Sequence, residues 1–430
     1  MKKSFILALV LLLSLHNSYA QQNIVKTQFI ERVLNGLASD EMRGRHAFTA
    51  DAQRAAEFIA NEFKDIGLTP YSNEGYMQSF EMNKVNREEQ SITLDGKVLK
   101  SEDYLIIGNA EQLNWNQKSV IKIGEIGKSE DFNEKFRAYY NSNGSVIVLV
   151  DPSYASYIAR FNKIFGKENV TTAITGDEAT KVFILADKLP KEYDIAYKNK
   201  IEKITMSNVA GIIPGKEDPS EYIVFSGHYD HIGIIEPQGQ DSIANGADDD
   251  ASGITAMISL AKYYKEQNDN ARTLIFVAFT GEEVGMFGSK YFSNNINADS
   301  VIAMINIEMI GKDSKFGRNS LYITGYDHSN LGKLMQENLK GSDFTFHPDP
   351  YTKQNLFYRS DNAVLAKLGV PAHTFSTSQI DKDQYYHTVK DEISTLDIAN
   401  IKSSIEAIAV GAKGLVDGTQ TPSRVEKLKD

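Results

Sequence analysis

The stretch Ser226–Gly253 carries the residues of this sequence that are best suited to chemistry. His228 stands two residues before Asp230, and three consecutive aspartates at 248–250 follow among small residues. Imidazole and carboxylate groups are ligands that zinc takes in proteins. The spacing of His228 and Asp230 also suits a pair in which the carboxylate fixes the orientation of a metal-binding imidazole. The stretch therefore predicts part of a metal site.

Four further candidates follow apolar runs that predict strands: Glu282, Glu283, Glu308 and His387. In α/β sheets, ligands bind at the carboxyl ends of the strands. Two imidazoles and three carboxylates can hold two zinc ions about 3.5–4 Å apart, provided that one carboxylate bridges them. A hydroxide between the ions is a nucleophile at neutral pH, and a further carboxylate can take its proton. The adjacent glutamates offer both roles, one as ligand and one as base.

Composition excludes several other sites and partners. The sequence has no cysteine, so disulfides and zinc sites built on thiolates are excluded. Its formal net charge of −11 makes nucleic acid and anionic membranes unexpected partners. Nothing in the sequence predicts the oligomeric state.

Residues 1–20 predict a signal peptide. A basic start, an apolar run over Phe5–Leu15 and small residues at Ser18 and Ala20 form the expected pattern. The apolar run is shorter than the roughly 20 residues that a membrane span needs. We therefore expect an exported protein, periplasmic or extracellular, whose mature chain begins near Gln21.

From Ser207 onward, apolar runs alternate with amphipathic stretches. The runs Tyr222–Ser226 and Thr273–Phe279 are typical of buried parallel strands, and Ile254–Tyr264 between them is typical of a helix. This alternation predicts an α/β sandwich around a mostly parallel central sheet.

The chain divides into segments of different character. Residues 21–85, with a predicted helix over Ala50–Leu68, form the N-terminal part of the main domain, which resumes at 205–430. Residues 86–204 have short apolar runs between lysine-rich stretches, which predict a small inserted β-rich domain. The insert has no obvious ionisable cluster, which favours a lid or substrate-positioning element. The sequence ASDEMRGR at Ala38–Arg45 is predicted to be a loop that covers the core edge rather than a substrate contact.

Seven motifs resemble, in the same order, the co-catalytic di-zinc exopeptidase family of bacterial leucyl aminopeptidase and glutamate carboxypeptidase. They are NVAGIIPG, SGHYDHIG, NGADDDASG, TGEEVG, NIEMIG, FYRSDNAVLAKLGVPAHTF and YYHTVKDE, between residues 208 and 392. Each alone is weakly specific, whereas seven in order are strongly so. The resemblance implies the zinc-exopeptidase fold, a three-layer α/β/α sandwich with a mixed sheet, and an insert similar to a protease-associated domain.

The resemblance also implies the ligands of two Zn²⁺ ions. His228 and Glu308 would bind one ion, and His387 and Glu283 would bind the other. Asp249 would bridge the two. Glu308 stands where the family most often has aspartate, but it keeps the charge and the donor type.

Further roles carry over in the same way. Glu282 would be the general base, and Tyr386 would donate a hydrogen bond to the oxyanion. Asp248 and Asp250 would support Asp249, and the peptide bond after Asp249 is expected to be cis.

The other histidines are expected to be structural. His231 is favoured as structural over a ligand, and no acidic partner stands at ligand spacing from the rest: His46, His328, His347 and His373. Arg359 could pair with Asp361 to hold the wall of the site or bind a substrate carboxylate, and the first is favoured.

The function predicted is a zinc aminopeptidase that hydrolyses the terminal bond of short peptides. A carboxypeptidase would need arginines for the C-terminal carboxylate, for which Arg359 is the obvious candidate. A glutaminyl cyclase on the same fold needs one zinc ion rather than two. A non-enzymatic relative would lack ligands, whereas every expected position here carries a competent side chain. The preferred substrate side chain is not predicted.

Overall fold

The computed structural model describes residues 24–73, 75–165, 169–172, 174, 179–188 and 190–428. The predicted signal peptide lies outside the described residues. The chain forms two compact units, one of Met1–Ser79 with Met206–Asp430 and one of Phe80–Thr205. The second unit corresponds to the insert predicted at 86–204. Among the described residues, no helix combines the length and the apolar character needed to cross a membrane.

A mixed sheet forms the centre of the first unit. Four strands lie side by side and run parallel, in the order Arg272–Phe279, Asp218–His228, Val301–Ile307 and Ala372–Ser376. Antiparallel neighbours flank them, with Tyr193–Ile213 beside the first and Ser320–Ile323 beside the last. Smaller strands complete this unit: Thr69–Pro70, Thr345–Pro348 and the hairpin of Gly233–Gln238 and Asp241–Ala244.

Helices cover both faces of this sheet, because successive residues of a strand point to opposite sides. Phe225 packs in one core with Ile258, whereas its neighbour Val224 packs in another with Phe292. The predicted three-layer α/β/α sandwich is therefore confirmed. The helices are Thr27–Leu37, Ala50–Ile66, Gly253–Gln267, Phe287–Asn294, Leu331–Asn338, Asn362–Lys367, Ile398–Gly411 and Lys413–Val416.

Local sequence sets the ends of these helices. The helix Ala50–Ile66 begins after Thr49, whose hydroxyl accepts a hydrogen bond from the N–H of Asp51 at 3.2 Å. It ends before Gly67, whose φ of +80° is a left-handed conformation that glycine adopts without strain.

The second unit has its own sheet and core. Its four-stranded sheet has the order Tyr104–Ile107, Lys181–Leu185, Val146–Val150 and Lys122–Ile126. The other strands that lie in or begin in this unit are Lys97–Val98, Gln112–Asn116, Asn169–Thr171 and Tyr193–Ile213, and Met77–Leu94 enters it from the first unit.

Two helices of this unit, Phe132–Tyr140 and Ala155–Phe165, were missed by the β-rich prediction. Phe132 and Phe136 lie one helical turn apart and are both buried. Their spacing in the sequence was therefore a signal that predicts a helix.

Candidate metal centre

The predicted metal ligands lie where the parallel strands end. His228 is the last residue of its strand, and Glu308 directly follows the adjacent strand. Glu283 lies in the loop after the strand on the other side of His228, and His387 lies in the loop after Ala372–Ser376. The carboxyl ends of parallel strands meet at one edge of a sheet, so the topology brings these side chains together.

Asp249 lies between two groups of possible ligands. Its Oδ1 is 3.2 Å from Nε2 of His228, and that nitrogen is 3.9 Å from Oε1 of Glu308. Its Oδ2 is 3.4 Å from Nε2 of His387, and that nitrogen is 3.0 Å from Oε2 of Glu283. Within each group the donor atoms lie within 4.8 Å of one another. One carboxylate therefore faces both groups.

Unpaired nitrogens show that these residues fit metal ions. Among the described residues, the buried Nε2 atoms of His228 and His387 have no hydrogen-bond partner. A buried polar atom without a partner costs free energy unless something else binds it. Imidazole and carboxylate donors in such groups are the ligands that zinc takes.

Burial and carboxylates together set the protonation of the site. Burial disfavours the imidazolium of His387, but Asp249 and Glu283 outweigh it and raise its pKa to about 10. Burial raises the pKa of the Glu282 carboxyl well above its usual value, and the charge of Glu308 adds to this effect against the opposing charge of His228. A carboxyl group with a raised pKa can accept and return a proton, as a general base must.

Asp230 does not orient His228 through its carboxylate, so that prediction was wrong. The Nδ1 atom of His228 lies 3.0 Å from the backbone carbonyl oxygen of Asp230. The carboxylate instead accepts hydrogen bonds from the N–H groups of Glu282 at 3.1 Å and Glu283 at 3.3 Å. A His-x-Asp spacing does not distinguish the backbone oxygen from the side chain. The carboxylate therefore positions the glutamate pair.

The neighbours of Asp249 hold the backbone around it. Asp250 accepts a hydrogen bond from the N–H of His228 at 3.2 Å and another from the N–H of Met309 at 3.1 Å. Asp248 accepts one from the N–H of Gly311 at 2.8 Å. The peptide bond between Asp249 and Asp250 is cis, as the resemblance implied.

Two residues that the sequence reasoning missed connect this turn to the loop of His387. Asp391 accepts hydrogen bonds from the N–H groups of Asp248 and Asp249, both at 3.0 Å. The Nζ atom of Lys312 lies 3.2 Å from Oδ2 of Asp248 and 2.7 Å from Oδ2 of Asp383. Asp391 belongs to the motif YYHTVKDE, which was a signal that could have identified it.

Arg45 connects two parts of the stretch Ser226–Gly253, one near each end. Its side chain is completely buried, and it donates hydrogen bonds to the carbonyls of Tyr229 at 2.8 Å, Asn245 at 2.6 Å and Gly246 at 2.9 Å. Burial lowers the pKa of Arg45, and nearby carboxylates partly offset this effect. The segment ASDEMRGR therefore does more than cover the core edge, since it positions the loops of the site.

His231 lies beside the second group of ligands. It is completely buried, and its Nδ1 is 2.8 Å from Oε1 of Glu283. This contact positions Glu283 and places His231 in the same donor group as Asp249 and His387.

The remaining histidines lie apart from these donor groups. His373 is buried, with Nδ1 2.8 Å from the carbonyl oxygen of Thr324, and burial lowers its pKa to about 4. The other three pack against aromatic rings: His46 on Phe48, His328 on Phe357 and His347 on Phe316.

A cavity of about 380 Å³ opens beside Asp249, Glu282 and Glu308. Tyr386 lines the cavity, and its ring stacks on that of His387 with centroids 3.8 Å apart. Partial burial and the neighbouring carboxylates raise the pKa of Tyr386, which keeps its hydroxyl protonated as a donor.

Arg359 also lines this cavity. Among the described residues, no ion pair or hydrogen bond joins its guanidinium to Asp361, so the favoured structural pairing was wrong. The substrate-facing alternative therefore stays open for this arginine.

Solved structures share this architecture. The aminopeptidase from Aneurinibacillus sp. strain AM-1 is 16% identical with a TM-score of 0.56, over 95% of this chain and 98% of that chain. BSAP, a zinc aminopeptidase from Bacillus subtilis, is 16% identical with a TM-score of 0.55, over 92% of this chain and 96% of that chain. At this level of identity the likeness confirms the fold.

Curated relatives are similar over a shorter range. A probable zinc metalloprotease of Pyrenophora teres f. teres is 37% identical over 112 residues, which are 25% of this chain and 23% of that protein. The chain thus spans about a quarter of the length of the curated relatives it matches. In fold, donor residues and relatives, the chain is similar to zinc metallopeptidases. Residues 208–411 match Peptidase family M28, and the resemblance that the motifs predicted is confirmed for this segment.

Proposed function

We propose that this chain is a zinc-dependent exopeptidase of the aminopeptidase type, which releases the N-terminal residue of short peptides. One observation carries the proposal. Asp249 presents one oxygen to His228 and the other to His387, beside Glu282, which belongs to neither donor group. Such an arrangement suits two zinc ions and a separate base. The aminopeptidases of similar fold support the same polarity.

Different residues of this chain have different roles in peptide hydrolysis. When bound, zinc ions supply Lewis-acid chemistry that makes water a nucleophile at neutral pH. Glu282 takes the proton of the attacking water and delivers it to the leaving amine. The carboxylate of Asp230 accepts a hydrogen bond from the backbone N–H of Glu282 and so holds Glu282 in place. The hydroxyl of Tyr386 donates a hydrogen bond to the oxyanion of the tetrahedral intermediate.

The acidic residues that line the cavity determine which end of the peptide binds there. Glu308 and Asp249 line the cavity, and their carboxylates would attract the α-ammonium group of a free N-terminus. A blocked N-terminus lacks this charge, so acetylated peptides are expected to be poor substrates.

A panel of dipeptides with free and acetylated N-termini, run with zinc quantification, tests the proposal. We expect cleavage of the free peptides and two zinc ions per chain. His387→Ala should lose both zinc and turnover, whereas the matched control His347→Ala, whose ring stacks on Phe316, should keep them. Cleavage of only the acetylated peptides would contradict the aminopeptidase assignment.

We also propose that the protein is exported. The support is the sequence pattern of residues 1–20. N-terminal sequencing of the protein from cells should give a chain that starts near Gln21. A chain that still starts at Met1 in the soluble fraction of the cytoplasm would refute export.

A further inference from the structure

The cavity beside the donor groups is lined by residues of both charges. Its acidic lining includes three carboxylates of the site: Asp249, Glu282 and Glu308. Arg359 lies on the lining as well, with an exposed side chain. The volume of about 380 Å³ is in the range of small-ligand sites.

The acidic residues elsewhere on the lining already have cationic or hydroxyl partners. Asp381 lies 3.2 Å from Nζ of Lys315 and accepts a hydrogen bond from the hydroxyl of Tyr351 at 2.7 Å. Asp383 lies 2.7 Å from Nζ of Lys312. These two carboxylates are therefore paired with residues other than Arg359.

Within the described part of the chain, the guanidinium of Arg359 makes no hydrogen bond and no ion pair. Surface arginines are often unpaired, but this one lines the same cavity as Glu282, the proposed base. A guanidinium offers several donors in a planar fork that matches a carboxylate. The rest of the lining is rich in hydroxyls, among them Thr324, Thr374 and Ser376, which suits a polar ligand.

We infer that Arg359 binds a carboxylate of the substrate, so that the enzyme prefers short peptides with a carboxylate close to the scissile bond. This inference rests on the proposed function and adds the substrate class. The ammonium group of the peptide lies toward Glu308, and its carboxylate lies toward Arg359. The carboxylate comes either from an acidic side chain or from the free C-terminus of a dipeptide.

Two pairs of substrates separate these sources. Glutamyl-alanine amide against glutaminyl-alanine amide isolates the side-chain carboxylate, since the two are nearly isosteric. Alanyl-alanine against its C-terminal amide isolates the α-carboxylate. In the zinc-loaded protein, we expect kcat/KM to favour the carboxylate member of at least one pair by about tenfold or more. Arg359→Gln should abolish that ratio, and Arg359→Lys should restore part of it. Lys353→Gln, an exposed control on the preceding turn, should leave it unchanged.

Calorimetric titration with free glutamate and free glutamine provides a readout that needs no turnover. Tighter binding of glutamate, lost in Arg359→Gln, supports the inference even where no peptide is cleaved, and that result overturns the proposed function alone. Cleavage of both members of each pair at equal rates overturns the inference and leaves the proposed function intact. A ratio that survives in Arg359→Gln also overturns it.

Discussion

The carboxylate of Asp230 lies against the backbone of Glu282, with its Oδ1 3.1 Å from that N–H group. Its other oxygen accepts a hydrogen bond from the next N–H group along the chain, that of Glu283. Asp230 is completely buried. One side chain thus fixes the direction in which both glutamates leave the strand, one toward the cavity and one toward the donor group of His387.

Asp230→Asn should lower kcat by about ten- to a hundredfold. The amide keeps the size of the side chain, but its NH₂ group faces a backbone N–H, so one of the two contacts becomes repulsive. Asp241→Asn is the matched control, because Asp241 caps an exposed hairpin turn. Steady-state kinetics with zinc content measures the effect. If the variant instead loses zinc and its kcat per bound zinc is unchanged, the carboxylate of Asp230 supports metal binding by His228, as the sequence suggested.

Glu282→Gln should keep the zinc content of the wild type and lower kcat by about 10²- to 10⁴-fold. The amide cannot accept the proton of water, whereas Glu282 contributes no donor atom to either group. Glu266→Gln, on an exposed helix surface, is the control. Turnover that stays near the wild-type value would remove Glu282 from the role of base.

Zinc affinity should rise with pH. Zinc binds neutral imidazole, so it must displace the proton that the negative charges of Asp249 and Glu283 favour on His387. With the pKa of His387 at about 10, the imidazole is protonated at neutral pH before metal binds, and the competing proton is lost only as pH rises toward that value. We expect affinity to increase by up to about tenfold per pH unit between about pH 7 and pH 9.

Chelator competition at several pH values measures this dependence. Titration calorimetry in two buffers with different ionisation enthalpies should also show proton release. His387→Ala should have a weaker dependence on pH. An affinity that does not change with pH would contradict the protonation assigned to His387.

Arg45→Met should destabilise the first unit by at least about 3 kcal/mol. Methionine fills much of the space but leaves the carbonyls of Tyr229 and Asn245 without the donor that Arg45 provides. Arg54→Met is the control, since its ion pair with Asp51 is on the surface and contributes at most about 1 kcal/mol. Urea unfolding followed by circular dichroism compares the two. Equal stability of both variants would show that Arg45 is not needed for the fold.

The sequence allowed the sheet and the meeting point of the candidate ligands to be predicted for one physical reason. Buried parallel strands are continuous apolar runs, and a polar residue directly after such a run lies at the carboxyl edge of the sheet. His228 and Glu308 both satisfy this rule. The fold was predictable because local pattern and overall topology agree here.

The contacts that support the site were not predictable in this way. Arg45 donates to carbonyl groups 184 and 201 residues away, and Asp391 accepts from a backbone group 143 residues away. No local period encodes such pairs. The direction of the Asp230 carboxylate was missed because a two-residue spacing gives proximity without orientation.

Arg45 has a further consequence for protein production. Every proposed zinc ligand lies between residues 228 and 387, and the family match spans 208–411. The guanidinium that ties those loops together comes from the first stretch of the chain, as do the helices Thr27–Leu37 and Ala50–Ile66 that share its core. A recombinant fragment cut at the start of the matched range would therefore contain all the ligands and still fail to hold them in place. The smallest fragment that keeps the proposed zinc ligands in place must include the N-terminal helices.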